Sequence, residues 1–329
     1  MQTAAAPRFQ LIVRGLPRSS FAIDVEQGLT TSPKSLPPRY FYDSLGSALF
    51  EAICELPEYY VTRAETDVLT AFGEEIVRCF PARARLVELG SGNARKTRLL
   101  IEAILRRHDE LHYIPLDIDA GILDKGSRAL LGDYPSLQIT AVVSDFRQPS
   151  NAIPAAGPHE HTVVLFLGSS IGNLDPEGAA AMLRDLRRAL VPGDALLLGA
   201  DLRKPRTILE PAYDDALGVT AAFNLNILQR INRELSGNFR LHQFAHLAFY
   251  DEQRHRIEMH LVSREHQRVA IGELGLEFAF AEGETIHTEN SYKYDEATLA
   301  GLANESGFHI EHSWTDTNGW FADVFMIAD

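Results

Sequence analysis

Continuous apolar runs alternate with amphipathic stretches through the middle of the chain. RLVEL (85–89), HYIPLD (112–117), LQITAVVSD (137–145), TVVLFLG (162–168) and DALLLGAD (194–201) read as strands buried on both faces. Between them, ARKTRLLIEAILRRH forms one helix, a second runs to about Gly132, and a third opens at Asp175-Pro176, where proline suits the first turn. Strand–helix alternation of this kind predicts an α/β fold with a parallel, doubly wound sheet. Upstream, TTSPKSLPPR (30–39) is extended and braced by proline. DSLGSALFEAICEL places Leu45, Leu49, Phe50 and Ile53 on one helical stripe, and TRAE (62–65) reads as a capping box before a helix closed by Pro81.

The pattern breaks after residue 201. Residues 206–235 read as helical, and FAHLAFY, RIEMHLVS and LEFAFAEG as strands of a mixed sheet. DEATLAGLANESG returns to a helix, and FHIEHSW with WFADVFMIA flanks the hairpin signal DTNG. The expected organisation is a sheet domain at 62–202 and 294–329 and a second α+β lobe at 12–61 and 203–293. IHTENSYKY (286–294) stands out as a polar and aromatic strand. Simple alternation puts Glu289, Ser291 and Lys293 on one face and Thr288, Asn290, Tyr292 and Tyr294 on the other. A carboxylate beside a hydroxyl is either a solvated edge or a hook for a small polar ligand.

Composition narrows the partners. The 329 residues are 45% hydrophobic, which suffices for two cores, and carry a formal net charge of −14. That acidic balance argues against a nucleic-acid partner and leaves small zwitterions open. Cys54 and Cys79 have no metal or redox spacing and suit a reducing, cytoplasmic compartment. MQTAAAPRFQLIVRG has no long apolar segment, so no signal peptide is expected, and no run is long enough to span a membrane. The chain is expected to act as a monomer on a small molecule.

Candidate chemistry clusters at strand ends. VELGSGNARKT puts Gly90 and Gly92 between a strand and a helix, a turn that lets backbone approach a ligand. A dinucleotide turn would carry a third glycine where Arg95 stands. Asp117 ends the next strand, placed to accept ribose hydroxyls. Asp145 and Phe146 end the third, an acid and an aromatic suited to an adenine. Any one acid there is better explained as a helix cap; three features at successive strand ends favour a nucleotide-like ligand. Lys96 is placed to meet a ligand carboxylate or to be a solvated first-turn lysine. GSSIG (168–172) matches the nucleophile elbow of serine hydrolases with Ser170 as nucleophile, and His287 or His309 as partner. The motif lacks the immediate strand–nucleophile–helix context, and the alternative is a small-residue loop that lets Asn173 reach the cleft. His242 and His246 lack the acid of a zinc helix and sit on a strand pattern. No metal is expected.

The segments SPKSLPPRYFYDSLGSALFEAICELPEYYVTRAE, ELGSGNARKTRLL, LFLGSSIGNLDPEGA and TENSYKY together resemble the ergothioneine-pathway L-histidine Nα-methyltransferases, from about residue 30 to the C-terminus. The resemblance implies a Rossmann-like class I methyltransferase sheet finished by an antiparallel hairpin, with S-adenosyl-L-methionine as methyl donor. It implies Nα-methylation of free histidine, by three transfers, to hercynine. It further implies that Tyr42, Gly90, Lys96, Asp117, Asp145 and Phe146 line the cofactor. Tyr59, Asn173 and Tyr213 would hold the amino and carboxylate groups, Glu289 and Ser291 the imidazole, and Met259 would pack on the ring. Tyr42 would lie nearest the reacting centre. Tyr59, Tyr213 and Met259 are equally readable as core side chains. Asn290 and Tyr292 stand where the family more often has an aliphatic residue and alanine, which keeps tryptophan and tyrosine open as substrates. A noncatalytic binding module on the same fold is a further alternative.

Overall fold

The computed structural model describes residues 8–14 and 21–329. Part of the N-terminal stretch read for a signal peptide lies outside the described residues. In chain order the elements are β1 (Phe9–Val13), α1 (Phe21–Thr30), β2 (Lys34–Ser35), α2 (Ser44–Cys54), α3 (Tyr60–Cys79), β3 (Ala84–Leu89), α4 (Thr97–Leu105), β4 (Leu111–Asp117), α5 (Ala120–Asp133), β5 (Leu137–Val143), α6 (Pro149–Ala152), β6 (His161–Phe166), α7 (Pro176–Arg188) and β7 (Ala195–Asp201). There follow α8 (Arg206–Leu209), α9 (Val219–Leu235), β8 (Phe244–Asp251), β9 (Arg256–Ser263), β10 (Gln267–Ile271), β11 (Leu276–Phe280), β12 (Thr285–Tyr292), α10 (Glu296–Ser306), β13 (Phe308–Thr315) and β14 (Phe321–Ala328). The chain forms two compact units, one built from β1, residues 64–202 and 294–329, the other from the described residues 21–63 and 203–293.

The first unit is built on an eight-stranded sheet in the order β1-β5-β4-β3-β6-β7-β14-β13. The strands from β1 to β7 run parallel; β14 is antiparallel to β7, and β13 pairs antiparallel with β14. The apolar strands of the sequence are the inner ones: every residue of β7 is buried. Their side chains pack with Leu100, Ile101 and Leu123 from the covering helices. Two of its helices show their local cause at the N-terminus. The Asp175 carboxylate accepts from Gly178 N at the start of α7, with Pro176 at the first helical position. Asp295 and Thr298 form a reciprocal cap on α10, which Gly307 closes at φ 80°. In the terminal hairpin, the Asp316 carboxylate accepts from the backbone of Asn318, Trp320 and Phe321 and fixes the turn.

The second unit carries a four-stranded sheet, β2-β12-β9-β8, and a β10–β11 hairpin. Helix α9 packs on α2 and on β8. The Asp43 carboxylate caps α2 through Gly46 N, 2.7 Å away, and accepts from Asn226 and Arg233 of α9.

Several sequence expectations are corrected. Ile12 and Val13 belong to β1 and pair with β5 in the first unit, not with the second lobe. Helix α3 starts at Tyr60, so TRAE lies within it and Glu65 is buried in place of capping. In α2 the buried positions are Gly46, Ser47 and Ile53, while Leu45 is exposed, because the face toward α9 admits only small side chains there. A Cβ on Gly46 would run into the Phe41 carbonyl. Residues 206–235 are two helices, interrupted by a turn in which Gly218 takes φ 74°. Strand β10 was not expected; QRVAI is short, and its partner β11 supplies the pairing.

Candidate active site

In the first unit the chain crosses from β5 back to β6, beside β3, so successive strands lie on both sides of β3. A crevice outside the carboxyl ends of β3 and β6 follows from that reversal, and it is where open α/β sheets hold ligands. The turn after β3 passes through Gly90 and Gly92 at φ 67° and 51°, a region where a side chain would be strained. Gly92 N donates to Asp117 Oδ2 at 2.9 Å and Asp119 N to Oδ1 at 3.0 Å. Asp117 thereby ties the glycine turn to the end of β4, and burial raises its pKa. The Phe146 ring stands against Gly90, 3.7 Å from where a Cβ would be, and packs on Phe166. Asp145 is bridged by Arg147, whose Nε lies 2.9 Å from Oδ2. Gly90, Asp117 and Phe146 are thus brought together, with Asp145 next to Phe146.

Lys96, expected either to meet a ligand carboxylate or to be solvated, forms an ion pair with Glu65. Glu65 is fully buried and also accepts from Gly168 N at 2.7 Å. Asp323, on β14, is fully buried with no hydrogen-bond partner at either oxygen among the described residues, and burial followed by the Glu65 charge raises its pKa strongly. Glu88, buried at the end of β3, takes hydrogen bonds from Thr97 and Tyr113, yet burial pushes it up to about 7. Sequence reading missed Glu65, Glu88 and Asp323; acids within apolar runs such as RLVEL and WFADVFMIA were the available signal. In the turn after β6, Ser170 Oγ bonds the Leu167 carbonyl, while His287 bonds Asn290 and His309 bonds Asp329. Gly168 and Ser169 are left-handed there and Ser170 is not, so the hydrolase elbow is not formed. Asn173 ends this turn, half-buried.

In the second unit an aromatic chain runs from Tyr42 to Phe50 (5.7 Å between ring centres), Phe50 to Tyr59 (6.1 Å) and Tyr59 to Tyr213 (6.1 Å). Tyr213 was expected on a helix and lies in the turn between α8 and α9. Its carbonyl accepts from His246 Nε2 at 2.8 Å, and His246 Nδ1 faces Asn224 at 2.9 Å. His246 is therefore a buried bracket for Tyr213, and burial lowers its pKa.

Strand β12 reaches this cluster through a bulge. Its pairing with β9 shifts between His287 and Glu289, leaving Thr288 as the extra residue. Upstream, Ile286 and Thr288 are buried; downstream, Glu289, Ser291 and Lys293 are. Asn290 and Tyr292 alternate to the other face, where Asn290 bonds His287 and Tyr292 accepts from Arg256. Ser291 Oγ lies 2.8 Å from Tyr213 Oη, and Lys293 Nζ donates to both, at 2.8 and 2.9 Å. Met259 is the direct cross-strand neighbour of Glu289. The Glu289 side chain takes no hydrogen bond among the described residues. Burial pushes it up to about 7, with Lys293 opposing. Burial first, then the negative ends of Tyr213, Cys54, Tyr42 and Glu289, hold the Tyr59 phenol well above its usual range.

On the outer face of the same sheet, Glu258, His260 and His287 approach one another closely enough to suggest a metal. Arg256 already pairs with Glu258, and His260 bonds its other oxygen, so this group is closed by its own cation.

Residues 21–328 match a protein-family model described as "Histidine-specific methyltransferase, SAM-dependent". The chain is 46% identical to a histidine N-alpha-methyltransferase of Mycolicibacterium smegmatis, over 91% of this chain and 92% of the relative. It is 43% identical to one of Mycobacterium tuberculosis over the same shares. It is 28% identical to ergothioneine biosynthesis protein 1 of Schizosaccharomyces pombe, over 89% of this chain and 38% of that one. With the match spanning nearly the whole chain, the protein belongs to the histidine-specific, S-adenosylmethionine-dependent methyltransferase family.

Proposed function

We propose that this enzyme methylates the α-amino group of free L-histidine three times, giving hercynine, the first step of ergothioneine biosynthesis. The observation that carries the reading is Glu289: a buried carboxylate with no hydrogen bond among the described residues, two positions along the same buried strand face from Ser291, whose hydroxyl meets that of Tyr213. A buried polar group without a partner costs on the order of 1–3 kcal/mol, so such a group is kept for something that binds it. An imidazole N–H supplies the missing donor; a phenyl ring does not.

S-adenosylmethionine, when bound, supplies a methyl group on a positively charged sulfur that an amine lone pair can displace. Its adenosine part fits the first unit. Gly90 and Gly92 leave the β3 turn bare, Phe146 offers a ring face, and Asp145 and Asp117 offer carboxylates at successive strand ends. Lys96 serves there as the countercharge of Glu65. Tyr59, Tyr213 and Asn173 are assigned to the amino acid's own amino and carboxylate groups, with Met259 against its ring and Tyr42 nearest the reacting centre. The amine must be neutral to attack. Phenols held protonated by burial, as at Tyr59, bring hydrogen-bonding oxygens to the site without adding a cation. Orientation of the amine is the main contribution asked of these side chains.

Tryptophan or tyrosine remains the second reading, since Asn290 and Tyr292 depart from the usual motif. Both point away from Glu289 and are engaged on the outer face, which favours histidine. The reading includes action as a monomer in the cytosol. Light scattering coupled to size exclusion tests the monomer.

The direct test is mass spectrometry of a mixture of free amino acids incubated with enzyme and S-adenosylmethionine. Histidine should gain one, two and then three methyl groups. Methylation of tryptophan or tyrosine in preference to histidine would overturn the substrate. Glu289→Ala should lower kcat/KM for histidine by about 100-fold, with S-adenosylhomocysteine affinity unchanged within about twofold. Equal loss of both would refute the imidazole assignment.

A further inference from the structure

Lys293 is 2% exposed, an unusual place for an ammonium. Its Nζ donates to the hydroxyls of Tyr213 and Ser291, at 2.9 and 2.8 Å, and those two hydroxyls bond each other at 2.8 Å. The three polar atoms form a closed triangle. An ammonium only donates, so each hydroxyl oxygen must spend a lone pair on it. One hydroxyl proton is then consumed between Tyr213 and Ser291. The phenol is the stronger acid, so Tyr213 donates and Ser291 accepts. Ser291 Oγ now accepts twice, and its own proton is committed to pointing out of the triangle. Glu289, two residues away on the same strand face, is the opposite case, able when ionised only to accept.

The result is one donor and one acceptor side by side. A neutral imidazole presents the complement, a bare ring nitrogen that accepts and an N–H that donates. Indole has the N–H and no accepting nitrogen, and a phenol donates and accepts through one oxygen, not through two separate ring atoms. We propose that Lys293 is a positioning residue for substrate selection: by donating to Ser291 and Tyr213 it fixes Ser291 as the hydrogen-bond donor to the imidazole and leaves Glu289 as the acceptor. This rests on the assignment of Glu289 and Ser291 to the imidazole.

The test combines Lys293→Met, Ser291→Ala and the double variant in the full-length enzyme. Histidine kcat and KM and S-adenosylhomocysteine affinity are measured for each. Lys293→Met should raise KM for histidine about 10- to 100-fold, with a smaller change in kcat and cofactor-product affinity within about twofold. The double variant should be no worse than Ser291→Ala, because both act through one hydrogen bond. Losses that multiply, or a Lys293→Met enzyme with unchanged KM, would overturn the role of Lys293 while leaving the imidazole site standing. If Ser291→Ala itself leaves histidine KM unchanged, the site assignment fails, and this inference with it.

Where Lys293→Met does not fold, the unaltered enzyme decides. Ring-nitrogen-labelled histidine is bound with S-adenosylhomocysteine and its nitrogen resonances recorded. One pyridine-type and one pyrrole-type nitrogen support a donor at Ser291. Two pyrrole-type nitrogens, the signature of a doubly protonated ring, would refute it.

Discussion

At residue scale the energetics converge on Glu289. Its carboxyl sits at about 7 against an ordinary 4.5, because burial outweighs the attraction of Lys293. The sign of the consequence follows from proton counting. Between those values the folded chain holds a proton that the unfolded chain has released, so this group's contribution to stability falls as pH rises through the window and stays low above it. The shift corresponds to roughly 3 kcal/mol at full ionisation. Glu289→Gln keeps the shape and removes the charge. Without ligands, it should therefore be more stable than the native enzyme at pH 8, by roughly 1–3 kcal/mol, with the difference closing toward acid pH. Urea denaturation at both ends of that range measures it. A variant less stable than the native enzyme at pH 8 would mean that Glu289 has a stabilising partner in the folded protein. Stability gained while histidine affinity is lost is the trade expected where a buried charge is kept for binding.

At the scale of elements, the parts that were legible in the sequence are those set by period. The strands from β3 to β7 are continuous apolar runs, and such runs fold the same way wherever helices cover both faces. The hairpin of β13 and β14 was legible from DTNG for a similar local reason. What could not be read is the phase of β12. Alternation alone put Glu289, Ser291 and Lys293 together, and they are together, but Thr288 was assigned to the opposite face and is buried as well. The bulge beside it depends on pairing with β9, which no period in TENSYKY announces. The Glu65–Lys96–Asp323 group was equally hidden, since its members come from α3, the turn before α4 and β14. Its packing requirement is visible at Gly199 on β7, directly opposite Asp323. A Cβ there would run into Glu65 Oε1 and meet the Phe321 ring at 3.1 Å. Gly199→Ala should destabilise the enzyme by about 1–3 kcal/mol, the usual cost of forcing atoms into a packed interior. A midpoint in urea unchanged from the native enzyme would show that Glu65 and Phe321 yield freely.

At the scale of the whole molecule, the proposed site draws on different chemistry from each unit. The first has bare glycine backbone, strand-end acids and Phe146; the second has the aromatic chain, the Lys293 triangle and Glu289. Each has its own sheet and core. A ligand stabilises the states that retain its site, by about 2.7 kcal/mol at a hundred times its Kd. Where opening is local, that protection appears in the segments that form the site. Hydrogen exchange read by mass spectrometry can therefore map the two ligands separately. S-adenosylhomocysteine should slow exchange in peptides covering the β3 turn at Gly90–Gly92 and the ends of β4 and β5 at Asp117 and Asp145. Histidine, added to the enzyme already holding S-adenosylhomocysteine, should add protection in β12 and in the turn carrying Tyr213. The added effect should be lost in Glu289→Ala, while the protection around Gly90 remains. Protection of β12 by the cofactor product alone, with nothing gained from histidine, would break the division of labour between the two units and reassign Glu289 to the cofactor.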